Sequence, residues 1–149
     1  MEPSSTAITA AARTLVRVGR ILEHVATELT LPQYRLLIMI ASGDHRASQL
    51  AGRLALSKPT VTAVVDGLVE RGMLARSEVT GDRRAVQLTI TEAGRCALMA
   101  TDAAVGERLQ CVLGHCDDPG LALAGLDQLA GALPRVIAER ATSQTPGGR

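Results

Sequence analysis

The spacing of apolar and polar positions predicts a mainly helical chain. From about Ala7 to Leu29, apolar side chains recur at steps of three and four residues with arginines between them, as in an amphipathic helix. A second helix is expected to begin at Pro32, to cover Gln33 to Ser42 and to end at Gly43. It has so little polar surface that we expect it to be buried on several sides.

Two short helices follow at close spacing. The first covers Ala47 to Leu56, and the second begins at Ser57, whose hydroxyl can accept a free N–H group of the first turn. Gly72 then supplies a left-handed stop. Such a pair is typical of a helix-turn-helix. The inward positions of the first helix are Leu50, Ala51 and Leu54.

The second helix of this pair has two contrasting faces. Its apolar face consists of Val61, Val64, Val65 and Leu68. The opposite face has no large apolar side chain and is therefore free to contact another molecule. That open face carries Lys58, Thr60, Thr62, Ala63 and Asp66.

A hairpin and two further helices complete the predicted elements. The strands cover Met73 to Val79 and Ala85 to Thr91, and Thr80 to Arg84 form a charged tip between them. Thr91 caps a long helix to about His115. A last helix runs from Leu121 to about Ala141, and Pro134 is expected to kink or interrupt it. The terminal helices lack a sheet of their own, so they must bury their apolar faces against each other or against a second copy.

Composition limits the size of the fold and its partners. A chain of 149 residues forms one domain, or a small domain with helical extensions. It has no Phe, no Trp and a single Tyr, so its core must be aliphatic. The scarcity of aromatic rings argues against readers of RNA or single-stranded DNA, which stack bases on such rings.

Positive charge is concentrated in one segment, although the formal net charge is only +1. From Arg46 to Arg84 seven basic residues stand against four acidic ones, which gives this segment +3 and the remainder −2. A dimer would present the basic segment twice. This distribution favours a nucleic-acid partner.

Neither a membrane span nor a secretory signal is predicted. No apolar run approaches the roughly 18 residues that cross a bilayer, and Met1 to Thr6 lack the basic start and apolar stretch of a signal. Three cysteines are an odd number at irregular spacing, so we expect reduced thiols. The protein is therefore expected in the cytoplasm.

The run from Leu50 to Arg95 resembles the winged-helix repressors of the MarR family. Four blocks in order carry the resemblance: Leu56–Thr62, Leu68–Leu74, Gly81–Arg84 and Leu88–Gly94. It implies a mainly α fold with a small β-wing, in which a winged helix-turn-helix has flanking dimerisation helices. The implied divisions are a DNA-binding domain in residues 31–91 and a dimerisation region in residues 7–30 and 92–141. Residues 1–6 and the Gly/Pro/Ser/Thr-rich residues 142–149 are expected from the sequence to be disordered.

The resemblance also implies a function. MarR relatives are DNA-binding transcriptional regulators, so we expect a homodimeric repressor that recognises a pseudo-palindromic operator and is released by a small-molecule ligand. A two-fold dimer would place two recognition helices about 34 Å apart in successive major grooves. The expected partners are thus double-stranded DNA, a second copy and a small anionic or aromatic ligand; neither an enzyme nor a cofactor is expected.

The first turns of a recognition helix reach base edges in the major groove. Lys58 can reach a guanine edge or a phosphate, Thr60 and Thr62 offer hydroxyls, and Pro59 and Ala63 offer apolar contacts to a thymine methyl. Alternatively, Thr60 only caps or packs the helix. The predicted DNA-binding residues are Ser48, Arg53, Ser57, Lys58, Pro59, Thr60, Thr62, Ala63, Arg76, Asp82, Arg83 and Arg84.

In the wing, the family pattern Asp-x-Arg matches Asp82 and Arg84. A guanidinium that enters a narrow, electronegative minor groove must be held in place, and Asp82 can hold it. Arg83 is expected to touch phosphate. The alternative is a charged tip that is only solvated.

The recognition helix departs from the family at two positions. MarR relatives often carry Arg where this chain has Ala63 and Gly67, and Gly67 also weakens the helix by about 1 kcal/mol relative to Ala. Fewer charges mean weaker or more shape-dependent binding to DNA. The alternative function is therefore a homologue with a decayed reader helix that acts as a ligand- or protein-binding module.

Effector and metal sites are less defined. MarR-like repressors commonly bind small phenolic or other anionic lipophilic ligands between the dimer helices and the DNA-binding domain, and we expect such a crevice to involve Arg13, Arg17, His24, Tyr34 and Arg35. These residues could equally be surface charges and an interfacial Tyr.

The cysteines raise the alternative of a metal- or thiol-responsive regulator. Cys111 and His115 lie four residues apart on a helix, but Cys116 points elsewhere, so we predict no metal site. Cys96 could become reactive near a helix N-terminus. Peroxide-sensing relatives, however, place their cysteine in the first helix, where this chain has none, so redox sensing is disfavoured.

Overall fold

The computed structural model describes residues 4–25, 27–43, 50, 54, 56–79 and 82–143. Within them the chain is mainly helical with one two-stranded antiparallel sheet, which confirms the predicted fold class. It divides into two compact units, Met1–Leu109 and Gln110–Arg149. The elements are α1 (Ser5–Glu23), α2 (Leu31–Ala41), α3 (Lys58–Glu70), β1 (Leu74–Val79), β2 (Asp82–Ile90), α4 (Glu92–Leu113) and α5 (Pro119–Ser143).

Helix α1 starts earlier and ends earlier than its apolar pattern predicts. The Ser4 hydroxyl caps it by accepting from the Ala7 N–H group at 3.2 Å, so the helix begins inside the segment expected to be disordered. It stops at Glu23, and its predicted extension to Leu29 is wrong. The hydroxyl of Thr27 donates to the Leu29 carbonyl at 3.0 Å, a local bond that competes with helix formation. The chain then turns inward, and Leu29 enters the core with only 6% of its surface exposed.

Helix α2 follows the prediction closely. Gln33 accepts from the Thr30 N–H group at 2.9 Å, which satisfies a free donor at the helix start. Leu36 and Leu37 are fully buried. Gly43 follows with a φ of 102°, a left-handed conformation that glycine adopts without strain.

The core of the first unit is aliphatic, as the composition predicts. The predicted inward residues Leu50 and Leu54 are helical and buried, whereas Ala51 lies outside the described residues. The buried apolar residues are Leu29, Leu36, Leu37, Ile40, Leu50, Leu54, Val61, Val65, Leu68, Met73, Leu74, Leu88 and Ala97.

The end of α3 is fixed by a glycine turn that leads directly into the wing. Gly72 has a φ of 68°, its N–H group donates to Val69 at 2.9 Å, and the Met73 N–H group donates to Leu68 at 2.8 Å. These two bonds satisfy carbonyls at the end of the helix, and both Met73 and Leu68 are buried. The turn therefore sets the direction in which β1 leaves α3.

Helix α4 begins against this same turn. The Thr91 hydroxyl donates to the Gly72 carbonyl at 2.6 Å and accepts from the Gly94 N–H group at 3.1 Å, so Thr91 caps α4 as predicted. Gly94 lies so close to Met73 that a Cβ atom there would be 2.1 Å from the Met73 carbonyl oxygen. The block from Leu88 to Gly94 thus joins the wing to α4.

The two strands of the wing differ in length because the pairing is irregular. Glu78 pairs with Val86, but the next residue of β1, Val79, pairs with Asp82. β2 therefore contributes three additional residues, Arg83 to Ala85, at this point. The prediction that the second strand starts at Ala85 is wrong, because pairing with Val79 extends β2 to Asp82.

Helix α5, in the second unit, is assigned as continuous from Pro119 to Ser143. The predicted interruption at Pro134 is therefore wrong, and Thr142 and Ser143 belong to this helix rather than to a disordered tail. Residues 123–137 are exposed, so water can bond the carbonyl that loses its partner at the proline.

Candidate nucleic-acid interface

The first turn of α3 is held by side-chain bonds at its N-terminus. The Ser57 hydroxyl accepts from the Thr60 N–H group at 3.3 Å, as predicted, and its oxygen lies 2.7 Å from the Thr60 hydroxyl. Thr60 is nevertheless exposed. Both interpretations of Thr60 therefore keep support, because its hydroxyl reinforces the cap while the residue stays exposed.

The open face of α3 is exposed as predicted, with Val61, Val65 and Leu68 buried on the opposite side. The Thr62 hydroxyl donates to the Lys58 carbonyl at 3.0 Å. Its proton is thus already used, and the oxygen is left as a hydrogen-bond acceptor. The exposed residues at this end of the helix are Ser57, Lys58, Pro59, Thr60, Thr62 and Ala63.

An ion pair joins α3 to the wing. Arg76 on β1 donates from Nη2 to Oδ1 of Asp66 on α3, and about half of each side chain remains exposed. Asp66 would otherwise leave an uncompensated negative charge on the open face. Arg76 was predicted as a DNA contact, and part of its charge is now seen to be balanced within the protein.

Five of the predicted DNA-binding residues lie wholly or with their side chains outside the described part of the structure. Asp82, Arg83 and Arg84 lie in β2, where Arg83 and Arg84 belong to the additional residues of the irregular pairing. Their side chains lie outside the described part of the structure. Ser48 and Arg53 lie outside the described residues altogether, so all five remain predictions.

Two residues near the end of α3 do not contribute to the open face. Arg71, counted within the basic segment, donates to the backbone carbonyl of Glu28 at 3.0 Å and to its carboxylate at 3.3 Å. Gly67 is half-buried, and a Cβ atom there would lie 3.8 Å from Nε2 of Gln33. Because Gly67 faces α2, its lack of a charged side chain does not weaken the open face. The decayed-reader alternative is therefore supported by Ala63 alone.

A cavity of about 210 Å³ lies within the first unit, beside the segment that joins α1 to α2. The predicted ligand residues Tyr34 and Arg35 both line it, with mostly apolar neighbours. The full lining is Gly19, Leu22, Glu23, Val25, Thr27, Leu29, Leu31, Tyr34, Arg35, Thr101 and Val105.

Tyr34 also forms a hydrogen bond across the fold, since its phenol donates to Oδ1 of Asp102 on α4 at 2.6 Å. Burial, this hydrogen bond and the negative charge of Asp102 raise the pKa of Tyr34 to about 12. The phenol therefore stays protonated over the whole physiological range and acts as a donor.

The structure does not gather the five predicted ligand residues at one site. Arg13 and Arg17 line an open hollow on α1, whereas His24 and Arg17 line another together with Arg108. Nδ1 of His24 lies 2.6 Å from the Arg20 carbonyl of its own helix turn. Only Tyr34 and Arg35 share the cavity, and ligand binding by any of the five stays a prediction.

The three cysteines are exposed and free. In the second unit, Nδ1 of His115 lies 2.8 Å from the Cys111 carbonyl, while the Cys116 thiol contacts the Val112 carbonyl at 3.7 Å. Cys96 lies 4.0 Å from the Glu92 carboxylate. Among the described residues, no three His, Cys, Asp or Glu side chains are arranged to hold a metal ion.

Sequence reasoning missed the partners of Asp66 and Arg71. Both residues were noted, one on the open face and one in the basic segment, but no local pattern indicates their pairing. Likewise, nothing in the sequence indicated that Asp102 would bond Tyr34. No helix of the described residues has the length and hydropathy needed to cross a membrane.

Comparison with known proteins shows which family part of this chain resembles. The sequence model of the MarR family matches residues 29–86. The HTH-type transcriptional repressor YetL of Bacillus subtilis (strain 168) is 29% identical over 87 residues, which cover 55% of this chain and 52% of YetL. The chain spans about half the length of the curated relatives it matches.

Two solved structures share the fold. The transcriptional repressor CouR, bound to a 23-mer DNA duplex, superposes with a TM-score of 0.68 at 24% identity, over 89% of this chain and 99% of CouR. BpsR of Bordetella bronchiseptica, whose DNA binding is regulated by 6-hydroxynicotinic acid, gives a TM-score of 0.62 at 22% identity, over 83% of this chain and 96% of BpsR. Residues 29–86, which contain α2, α3, β1 and most of the sequence of the wing, therefore match the model of the MarR family, and this range includes three of the four sequence blocks that carry the resemblance.

Proposed function

We propose that this protein binds double-stranded DNA as a homodimer and regulates transcription as a repressor. The observation that carries the proposal is the open face of α3, which is exposed, has no large apolar side chain and begins at a well-capped first turn. A helix with such a face fits the major groove of B-DNA. YetL and CouR, which are repressors, support the direction of regulation.

The hydrogen bonds of the first turns define the chemistry of recognition. Because Thr62 has already donated its proton, its oxygen would accept from the exocyclic amine of adenine or cytosine. Pro59 and Ala63 would contact thymine methyl groups, and Lys58 would reach a guanine edge or a phosphate. The wing residues Arg83 and Arg84 would contact the adjacent backbone and minor groove.

Exposed apolar residues support a homodimer. The largest set on α5 repeats at steps of three and four residues, which gives the helix an apolar face that is open in the single chain. A second copy would cover it and bring two basic segments onto one operator. The exposed apolar residues of this face are Leu126, Leu129, Leu133, Val136 and Ile137.

The cavity supports regulation by a small ligand. Its walls are mainly apolar. Tyr34, whose proton is donated to Asp102, adds an oxygen that can accept a hydrogen bond, and Arg35 adds a positive charge. Such a lining suits a small lipophilic ligand with a polar group that Arg35 can bind. BpsR, whose DNA binding responds to 6-hydroxynicotinic acid, supports ligand-dependent release in this fold.

The direct test is binding to the DNA that flanks the coding sequence, at two salt concentrations and with excess competitor DNA. A specific complex that weakens steeply with salt is the expected result. In that complex, Arg84→Ala should cost about 1 to 3 kcal/mol, the loss expected for an arginine inserted in the minor groove.

A control variant distinguishes the loss of the wing arginine from the loss of any one positive charge. Arg108→Ala also removes one positive charge, but Arg108 lies about 24 Å along α4 from Glu92, where the wing ends. It should leave the affinity nearly unchanged. An Arg84→Ala protein that binds as tightly as the wild type would contradict the proposed role of the wing, and a wild type without any specific complex would favour the decayed-reader alternative.

A further inference from the structure

The segment between α1 and α2 contacts the cavity with one side and the end of the recognition helix with the other. Thr27 and Leu29 line the cavity. Glu28 lies between them, and its carboxylate Oε2 is 3.3 Å from Nη2 of Arg71. The same short stretch of backbone is therefore both a wall of the cavity and a partner of α3.

Arg71 occupies the position at which α3 passes into the wing. It is the C-cap residue of α3 and directly precedes Gly72, whose left-handed turn directs β1. Its Nη1 donates to the backbone carbonyl of Glu28 at 3.0 Å and lies 3.5 Å from Oε1 of Gln33 in α2. One side chain thus connects the cavity wall, α2 and the turn that aims the wing.

The contacts of Arg71 with Glu28 and Gln33 can rearrange at little cost in folding stability. The side chain of Arg71 is 36% exposed and that of Glu28 is 55% exposed, so water screens the ion pair. Exposed ion pairs contribute little to folding stability. The bond to the backbone carbonyl, by contrast, moves with the wall itself, because that carbonyl belongs to the segment that lines the cavity.

We infer that Arg71 is a positioning residue that couples occupation of the cavity to the placement of α3 and the wing. The inference rests on the proposed ligand-regulated DNA binding. A molecule that favours a displaced wall shifts the carbonyl and carboxylate of Glu28, and Arg71 must follow them or lose both bonds. Either change alters the turn at Gly72, which is the point where the wing is aimed.

The test fills the cavity by substitution, because the natural ligand is unidentified. Gly19 lines the cavity, and a Cβ atom there would meet nothing within 4 Å, so Gly19→Trp can direct an indole into it. The chain has no other Trp, and a blue-shifted emission identifies a buried ring. Gly19→Ala is the matched control for helix propensity, and Val105→Trp fills the same cavity from α4.

The first readout is hydrogen exchange of the Gly72 and Met73 amides in the full chain, which does not depend on DNA. Filling the cavity should accelerate their exchange by about fivefold or more when Arg71 is present. In an Arg71→Met background, which keeps the length of the side chain but removes its donors, the effect should fall below about twofold. Arg71→Lys should restore part of it.

The second readout is affinity for the operator, measured as a double-mutant cycle. Gly19→Trp should weaken binding by about fivefold or more with Arg71 and by less than about twofold with Arg71→Met. The cycle cancels the loss of positive charge that Arg71→Met itself causes.

The outcomes separate the two proposals. The coupling role of Arg71 would be overturned if Gly19→Trp and Val105→Trp had the same effects with Arg71 as with Arg71→Met. It would also be overturned if neither filling variant changed the exchange of the Gly72 and Met73 amides. Absence of any specific DNA complex with the wild type would overturn the proposed function, while the exchange measurement would still decide whether Arg71 couples the cavity to the turn.

Discussion

Several polar side chains on and around α3 are bonded to partners inside the fold. Thr62 donates to its own helix, Arg76 is paired with Asp66, and Arg71 is engaged by Glu28. The residue types and their exposure on α3 could be predicted from the sequence, because helical spacing determines which side chains share a face. The bonding partners of these side chains could not be predicted from the sequence. Glu28 and Arg71, for example, are 43 positions apart, and only the tertiary fold brings them together.

The single tyrosine offers a direct titration. Its pKa of about 12, against an ordinary value of 10.0, means that the folded chain keeps the phenol proton in a range where the unfolded chain loses it. Stability should therefore fall as the pH rises from 10 towards 12. Phenolate absorbance of the folded protein should show a midpoint near 12 that reports Tyr34 alone.

Substitution of the partner checks the cause of this shift. Asp102→Ala removes both the hydrogen bond and the negative charge, so the midpoint should move towards 10 but stay above it, because burial is the largest cause. Asp127→Ala, which removes an exposed carboxylate in the second unit, should leave it unchanged. An identical midpoint in wild type and Asp102→Ala would show that the hydrogen bond is not formed in solution.

Gly94 is required by the close approach of α4 to the wing. An added methyl group would lie 2.1 Å from the Met73 carbonyl oxygen and 2.9 Å from Ile90, so backbone must shift. We expect Gly94→Ala to lower the free energy of unfolding by about 3 kcal/mol, measured by urea denaturation. Gly106→Ala on the same helix meets nothing within 4 Å and should instead add about 0.5 to 1 kcal/mol. Similar changes in the two variants would contradict this account.

At the scale of elements, the ends set by local chemistry were predicted well. Ser57 and Gly72 bound α3, and Thr91 caps α4, because each acts through bonds to residues only a few positions away. The ends that depend on long-range contacts were not predicted well. Burial of Leu29 follows the early end of α1, and the pairing of Val79 with Asp82 lengthens β2. Apolar periodicity carries no information on either contact.

Gly67 provides a test of which face of α3 matters for DNA. It faces α2, and a Cβ atom there would make an ordinary contact with Gln33 at 3.8 Å. Gly67→Ala should therefore stabilise the protein by about 0.5 to 1 kcal/mol in thermal or urea unfolding.

The same variant should leave operator affinity unchanged within about twofold, since the residue lies away from the open face. Ala63→Glu, which places a negative charge on the open face, is the contrasting variant and should abolish specific binding. A Gly67→Ala protein with strongly weakened DNA binding would mean that the helix approaches DNA from another side.

At the scale of the whole molecule, the described chain leaves apolar surface uncovered at both ends. α1 has no buried residue, and α5 exposes a series of leucines. The sequence predicted amphipathic terminal helices, because their periodicity is a local property. It could not define the partner surface that covers them, because a single chain contains only one side of such a contact.

Leu133 allows the homodimer to be tested. It is 56% exposed in the single chain, so Leu133→Glu should not disturb the fold, but it would place a charge in a covered apolar interface. We expect the variant to shift the protein from dimer to monomer in sedimentation experiments and to weaken operator binding in parallel. Gln128→Glu introduces the same charge on the same helix at a polar exposed position and should remain dimeric. A Leu133→Glu protein that stays dimeric would exclude this face from the interface.

The absence of buried side chains in α1 also bears on the order in which the chain folds. A helix of 19 residues is only marginally stable by itself, and this one gains little from its own unit. We therefore expect the folding nucleus to form from α2, α3 and the hairpin, whose residues supply most of the core. α1 is synthesised before these elements, yet we expect it to acquire its contacts after them, so substitutions in α1 should change the rate of unfolding far more than the rate of folding in stopped-flow experiments.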